Sequence, residues 1–293
     1  MKIIVITGPT GVGKTKLSIA LAKEFNGEII NADSTQVYIG MDIATAKITE
    51  EEKEGINHHL FSFVDVKDDY TVFEFQRDCR EKIKEIIDRG RTPIIVGGTG
   101  LYIKAALYNY KFEERKSADF SDLTNEQIYK KLKKVDPETE IHINNRRRMI
   151  SSLNYFLSNK KPYSQKEKDE KILYESTFIG LTADRKILYE KINNRVDLMF
   201  EEGLLEEAKY FYNLGIRTKA VMTPIGYKEL FDYFDKKINF EEAKELIAKR
   251  SRNYAKRQYT WFKNQFKLNW FETDYDDFLK TEKTIIDFIK KEK

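Results

Sequence analysis

Short apolar runs stand out against an otherwise polar chain. Ile3-Ile4-Val5-Ile6, Glu28 to Asn31, Pro93-Ile94-Ile95-Val96 and Thr177 to Leu181 are brief and rich in β-branched residues. They lack apolar–polar alternation, as expected of strands buried on both faces. Between them the spacing becomes helical. Leu17, Ala20, Leu21 and Phe25 recur three and four apart after the first run. Thr71-Val72-Phe73-Glu74 has capping-box form and opens a helix that stops near Arg89-Gly90. A further helix follows Gly97-Gly98-Thr99-Gly100. Strands alternating with helices predict an α/β fold, a parallel sheet with helices on both faces.

The pattern changes between Asn109 and Lys171. That stretch is lysine-rich and helical in character, with Thr124-Asn125-Glu126-Gln127 as another capping box and no buried-strand run. It reads as a smaller helical insertion, 109–171, within a core built from 1–108 and 172–293. Ordinary surface helices of one domain are the competing description. After the strand at Thr177 to Leu181 the remainder reads as helical. It includes Asp184 to Phe200 and a long helix from about Glu241 to Phe262, with Asn239 as its cap.

The turn after the first strand carries the most specific chemistry. Gly8, Pro9, Thr10, Gly11, Val12, Gly13, Lys14 and Thr15 form a complete G-x-x-x-x-G-K-[ST] phosphate loop, flanked by strand and helix as that motif requires. The fold class is therefore a P-loop NTPase-like parallel sheet. Backbone N–H groups and the helix N-terminus attract phosphate oxygens. Lys14 adds a cation, Thr10 a hydrogen bond to a phosphate oxygen, and Thr15 a hydroxyl for Mg²⁺. Asp33 ends the second strand, where ligands of open α/β sheets bind. It suits Mg²⁺ binding, proton acceptance or a loop cap. A nucleotide- or ATP-binding motor usually has an aspartate ending another buried strand. Here Pro93 to Val96 runs into Gly97-Gly98-Thr99 instead, which points to a different phosphorylated ligand.

Composition narrows the field. Net charge is only +4, so any nucleic-acid contact must come from local clusters. The lone Cys79 excludes an internal disulfide framework and falls inside a helix, as a buried thiol. Three histidines make a structural zinc site a poor fit, and His58-His59 reads as structural. No apolar run approaches ~20 residues, so no membrane association is expected. A cytoplasmic protein acting as a monomer is the expectation.

Further segments carry a resemblance. They are Asn31 to Tyr38, Gly40 to Lys47, His58-His59-Leu60, Gly97 to Tyr102, Arg195 to Met199, Gly203-Leu204, Ile225 to Glu229 and Tyr254 to Gln258. With the phosphate loop, and in this order, they resemble the tRNA dimethylallyltransferases (tRNA isopentenyltransferases) over nearly the whole chain. Departures occur at Ile48, where proline is frequent, at Phe61 to Phe63, where an acidic residue is usual, and at Ser151, where arginine is frequent. None touches the phosphate loop.

The resemblance implies transfer of a dimethylallyl group from dimethylallyl diphosphate to N6 of the adenosine 3′ of the anticodon. The tRNAs are those reading codons that begin with U, and the products are N6-isopentenyladenosine and diphosphate. It implies Mg²⁺ as cofactor and the tRNA anticodon stem-loop as partner. Arg195 resembles a family arginine that reaches the diphosphate. Asp33 becomes the acceptor of the N6 hydrogen bond and proton, beside Ser34, Thr35 and Gln36 in a tRNA-binding segment. Thr99, Arg147 and Arg148 resemble tRNA-contacting positions. On the long C-terminal helix Lys249, Arg252, Lys256 and Lys263 share a face, with Arg250 and Arg257 beside them. Lys256 and Arg257 are the tRNA-binding choice there. Tyr254 and Trp261 border this stripe, either as stacking surfaces for bases or as its core-facing edge. Two other functions compete: prenylation of free AMP, ADP or ATP, and nucleotide-driven RNA remodelling.

Overall fold

The computed structural model describes residues 2–112, 118–166 and 171–292. The chain divides into two compact units, Met1–Tyr108 with Ile172–Lys293, and Asn109–Lys171. Within the second, residues 113–117 and 167–170 of the stretch read as helical lie outside the described residues.

The first unit is built on a sheet of β1 (Ile3–Thr7), β2 (Gly27–Asn31), β3 (His58–His59), β4 (Thr92–Val96), β5 (Ser176–Thr182) and β6 (Asn269–Glu272). Their spatial order is β3-β2-β4-β1-β5-β6, and every pairing is parallel. All carboxyl ends therefore face one edge. Between β1 and β2 runs α1 (Lys14–Glu24), and between β3 and β4 runs α2 (Val72–Asp88), entered through the Thr71–Glu74 capping box. After β4 comes α3 (Gly100–Leu107).

Strand periodicity divides the core. Ile4 and Ile6 of β1 point to one face, where Leu17 and Leu21 of α1 cover them. Ile3 and Val5 point to the other face, against Phe75, Cys79 and Ile83 of α2 and Ile103 of α3. Cys79 is fully buried, and burial pushes its thiol well above the ordinary range, so it serves as core.

The second unit contains α4 (Asn125–Val135) and α5 (Arg146–Asn159), packed through Ile128, Leu132, Met149 and Leu153. Arg146 secures the approach to α4 by donating to the Phe120 and Leu123 carbonyls.

Returning to the first unit, α6 (Arg185–Glu201), α7 (Leu204–Asn213), α8 (Lys219–Met222), α9 (Tyr227–Phe234) and α10 (Phe240–Gln265) follow β5. They enclose an apolar cluster with Val37, Tyr38 and Met41 from the loop after β2. The chain then forms β6 and ends in α11 (Phe278–Lys291). The reading of the remainder as wholly helical is thus corrected by β6. This strand is short and polar at both ends, and Trp270 gains its place by packing against Gly180 of β5. The pairing of His58 and His59 with Ile29 and Ile30 was likewise absent from the sequence reading; two residues carry no periodicity. Among the described residues, no helix is long and apolar enough to cross a membrane.

The histidine pair borders a buried ion cluster. Glu28 on β2 has no exposed surface. Arg89 reaches it with Nε at 3.2 Å and Nη2 at 2.7 Å, and His59 Nε2 lies 2.6 Å from Oε2. Burial alone would raise the carboxyl pKa, but bonding to Arg89 and His59 holds it below its ordinary value. Glu28→Leu should cost about 1–3 kcal/mol at neutral pH. Because the folded-state pKa is depressed, this stabilisation is present above the unfolded value near ~4.3 and is lost as pH falls through the folded value. Urea unfolding at neutral and strongly acid pH checks this: the gap between wild type and variant should close in acid.

Candidate active site

The phosphate loop joins β1 to α1 at the carboxyl edge of the sheet. Its shape is held from the chain's far end. Thr273 Oγ1 donates to the Val12 carbonyl at 2.9 Å, and the Tyr275 hydroxyl donates to the Gly11 carbonyl at 3.0 Å. Lys14 Nζ donates to the carbonyls of Gly8 at 3.1 Å and Pro9 at 2.8 Å, across the mouth of its own loop. Burial pushes this ammonium down to about 8; the Asp33 carboxylate opposes that shift and the Arg195 guanidinium adds to it. Arg195 comes from α6 and donates through Nη1 to Thr10 Oγ1 at 3.1 Å. Burial depresses its pKa as well, with the Asp33 charge acting the other way. Arg195, 185 residues from Thr10 along the chain, thus joins Thr10 and Lys14 of the loop in one cluster.

Asp33 lies just beyond the end of β2. Its Oδ1 accepts from Thr35 N at 2.9 Å and Thr35 Oγ1 at 2.7 Å. The nearly buried Asn31 holds the Asp33 backbone, accepting from its N–H at 2.9 Å and donating to its carbonyl at 3.2 Å. Ser34 N donates to Thr99 Oγ1 at 3.0 Å, which ties the Asp33 loop to the turn after β4. Gln36 donates its Nε2 to the Thr45 and Ala46 carbonyls. Glu207 on α7 braces the same loop, accepting from the N–H groups of Asp42, Ile43 and Ala44.

The long helix α10 meets these loops with a side chain given no role by the sequence. Gln258 is buried, accepts from Thr10 N at 2.9 Å and donates to the Gly98 carbonyl at 3.1 Å. Gly98 is needed for this approach, since a Cβ there would lie 2.1 Å from Gln258 Nε2. One turn earlier, the Tyr254 hydroxyl lies within bonding reach of Thr99 and Gln258, and burial then the Asp33 charge raise its pKa. Tyr254 therefore faces the Asp33 side. Trp261 takes the core-facing option: its ring covers Gly100, where a Cβ would come within 1.9 Å, and meets Phe262 edge-on.

Lys256 and Arg257 remain exposed, with the Arg257 guanidinium 5.7 Å from the Tyr254 ring centroid. The stripe around them is less uniform than helical spacing implies. Arg252 is engaged by Asn193, and Arg250 pairs with the buried Glu229. Beside it is a cavity of about 350 Å³ lined in part by Lys228, Arg250, Asn253 and Arg257. Arg147 and Arg148 belong to the other unit, exposed on the first turn of α5.

For a metal, Thr15 offers an exposed hydroxyl at the start of α1. Among the described residues no cluster of three His, Cys, Asp or Glu side chains could hold an ion by itself. An oxygen-liganded Mg²⁺ shared with substrate phosphates, which needs few protein ligands, fits such a site.

Chemically, a phosphate loop with two added cations favours anionic leaving groups, and a carboxylate beside it favours a proton-losing nucleophile. Known proteins are similar to this chain in sequence and fold. The IPP transferase family model matches residues 36–265, and the isopentenyl transferase model matches residues 1–69. A tRNA dimethylallyltransferase of Geobacillus thermodenitrificans is 48% identical, covering 98% of this chain and 96% of its own. One from Bacillus cereus is 49% identical over 92% and 90%. The full-length tRNA isopentenylpyrophosphate transferase of Bacillus halodurans superposes with a TM-score of 0.76 at 42% identity, over 98% of this chain and 95% of that one. A eukaryotic dimethylallyltransferase, described as acting on tRNA, gives 0.82 at 32% identity over 99% and 80%. With the IPP transferase model matched over residues 36–265 and relatives of this identity covering nearly all of both chains, the chain belongs to the tRNA dimethylallyltransferases, a family of prenyl-transferring enzymes.

Proposed function

We propose that this enzyme transfers the dimethylallyl group of dimethylallyl diphosphate to N6 of the adenosine immediately 3′ of the anticodon, in tRNAs reading codons that begin with U. The carrying observation is that the Thr10–Lys14–Arg195 cluster and Asp33 meet at one edge of the sheet, with the Asp33 charge acting on both cations. N6 attacks C1 of the prenyl group as the C–O bond breaks, and that bond's electrons leave with diphosphate. Loop N–H groups, Lys14, Arg195 and the Thr10 hydroxyl stabilise the leaving charge. Asp33 accepts the N6 hydrogen bond and then its proton. Thr15 would hold Mg²⁺, which when bound neutralises charge on the diphosphate.

The tRNA side is read as Asp33 to Gln36, Thr99, Lys256, Arg257 and the Lys228–Arg250 cavity. The 109–171 unit is the insertion that contacts tRNA through Arg147 and Arg148. The target base must leave its stack to reach Asp33. The reading places the enzyme with the tRNA pool in the cytoplasm.

The matched relatives carry tRNA in their names, which favours tRNA over free nucleotides. A paired assay tests this: dimethylallyl diphosphate and Mg²⁺ with an unmodified anticodon stem-loop, or with AMP, ADP and ATP. Mass gain on the stem-loop alone is expected; gain on free nucleotides alone would overturn the tRNA reading. Lys256→Glu with Arg257→Glu should weaken stem-loop binding and flatten its salt dependence by about 0.7–0.9 per cation removed. A salt titration of binding measures this, and an unchanged slope would return these residues to a solvated face.

A further inference from the structure

Gln258 sits within the basic helix α10 yet turns away from solvent. Its neighbours Lys256 and Arg257 are exposed, whereas Gln258 is 6% exposed. Its amide has one bond on each side of the site. Oε1 accepts from Thr10 N, and Nε2 donates to the Gly98 carbonyl. The peptide between Pro9 and Thr10 is therefore held at both ends, because Lys14 Nζ donates to the Pro9 carbonyl. That peptide also sets the direction of the Thr10 hydroxyl, which accepts from Arg195. The Gly98 carbonyl begins the turn whose next residue, Thr99, holds Ser34 beside Asp33.

We propose that Gln258 is a positioning residue for prenyl transfer, locking the diphosphate loop and the Asp33–Thr99 side into one arrangement through a single side-chain amide. It acts on the reaction through Thr10 and Lys14 rather than by touching tRNA. The inference rests on the reading of that loop as the diphosphate site.

Its chemistry is demanding. One side chain must accept at Thr10 and donate at Gly98, and among residues of this length a neutral amide does both. Methionine matches the shape and does neither. Ionised glutamate accepts at Thr10 but opposes the Gly98 carbonyl. Protonated glutamate donates there and restores both bonds. Lys14 and Arg195 on the loop side favour the ionised form; Asp33 across the turn and burial favour the protonated one, while Tyr254, on the same helix, stays neutral.

The test is calorimetric binding of inorganic diphosphate in magnesium buffer, with KM and kcat for dimethylallyl diphosphate and separate stem-loop binding. Wild type, Gln258→Met, Gln258→Glu and Lys14→Ala are compared between about pH 6 and pH 8. Gln258→Met should weaken diphosphate binding about tenfold at every pH, relative to wild type. It should raise KM in parallel and leave stem-loop affinity within about twofold. Gln258→Glu should show the same loss near pH 8 and recover toward wild type near pH 6. Diphosphate affinity within twofold of wild type in Gln258→Met, or a loss confined to the stem-loop, overturns the proposal. So does a pH-independent ratio of Gln258→Glu to wild type, which also decides the matter if the methionine variant fails to fold. Diphosphate binding that is absent in wild type, or unaffected by Lys14→Ala, overturns the diphosphate reading of the loop, and this inference with it.

Discussion

Lys14→Ala should nearly abolish prenyl transfer, with kcat/KM for dimethylallyl diphosphate reduced by about 10³-fold and the fold retained. Its ammonium lies across the mouth of the loop, bonded to the Gly8 and Pro9 carbonyls. In the proposed reaction it meets charge developing on the leaving diphosphate, and removing one such donor costs about 10²–10³-fold elsewhere. The fold survives because the bonds from Thr273 and Tyr275 hold the loop independently of Lys14. Steady-state kinetics with a circular-dichroism melt check both halves, and wild-type turnover would discard the assignment. The sign of the pH dependence follows from the lowered Lys14 value of about 8. Below it the free enzyme offers a charged lysine. As pH rises through it the charge is lost, so diphosphate affinity should fall above about pH 8. Stability moves oppositely: the unfolded lysine, near ~10.4, keeps its proton, so the cost of burying the charge disappears as pH rises between the two values.

Asp33→Ala should lower kcat by about 10²–10³-fold while stem-loop affinity changes little. A positioned proton acceptor contributes about 10²–10⁴-fold. The variant also loses the carboxylate that accepts from Thr35 N and Oγ1, so Asp33→Asn is the informative partner. Asparagine keeps an acceptor for the amine but cannot take its proton. If Asp33→Asn retains most of the wild-type rate, orientation of N6 matters more than basicity. A loss matching alanine assigns the proton to Asp33. An effect on affinity alone would make Asp33 a binding residue.

Much of this site was legible in the chain itself. The phosphate loop is local: its residues are consecutive, and the strand before and helix after are written in adjacent apolar periodicity. The parallel sheet followed from alternating runs. Asp33 stood out because it ends a strand, and strand ends bind ligands. Two strands were missed, β3 and β6, because each is too short for a period and gains its place from a neighbour already in the sheet.

What local pattern could not show is which long-range partners complete the site. Helical spacing placed Arg250 and Arg252 beside Lys256 on one basic surface, but Glu229 and Asn193 from other helices engage them. Tyr254 and Trp261, seven residues apart, looked equivalent; one faces Thr99 and the other covers Gly100. Gln258, inside a charged helix, carried no signal of burial, yet it is the amide between the two halves of the site. The sequence by itself determined the sheet, the loop between β1 and α1 and the place of Asp33 just beyond a strand end, because each depends on residues close along the chain. Only the tertiary structure decided how Arg195, Thr99 and Gln258 meet them, because hydrogen bonds between segments up to 248 residues apart leave no periodic trace in either segment.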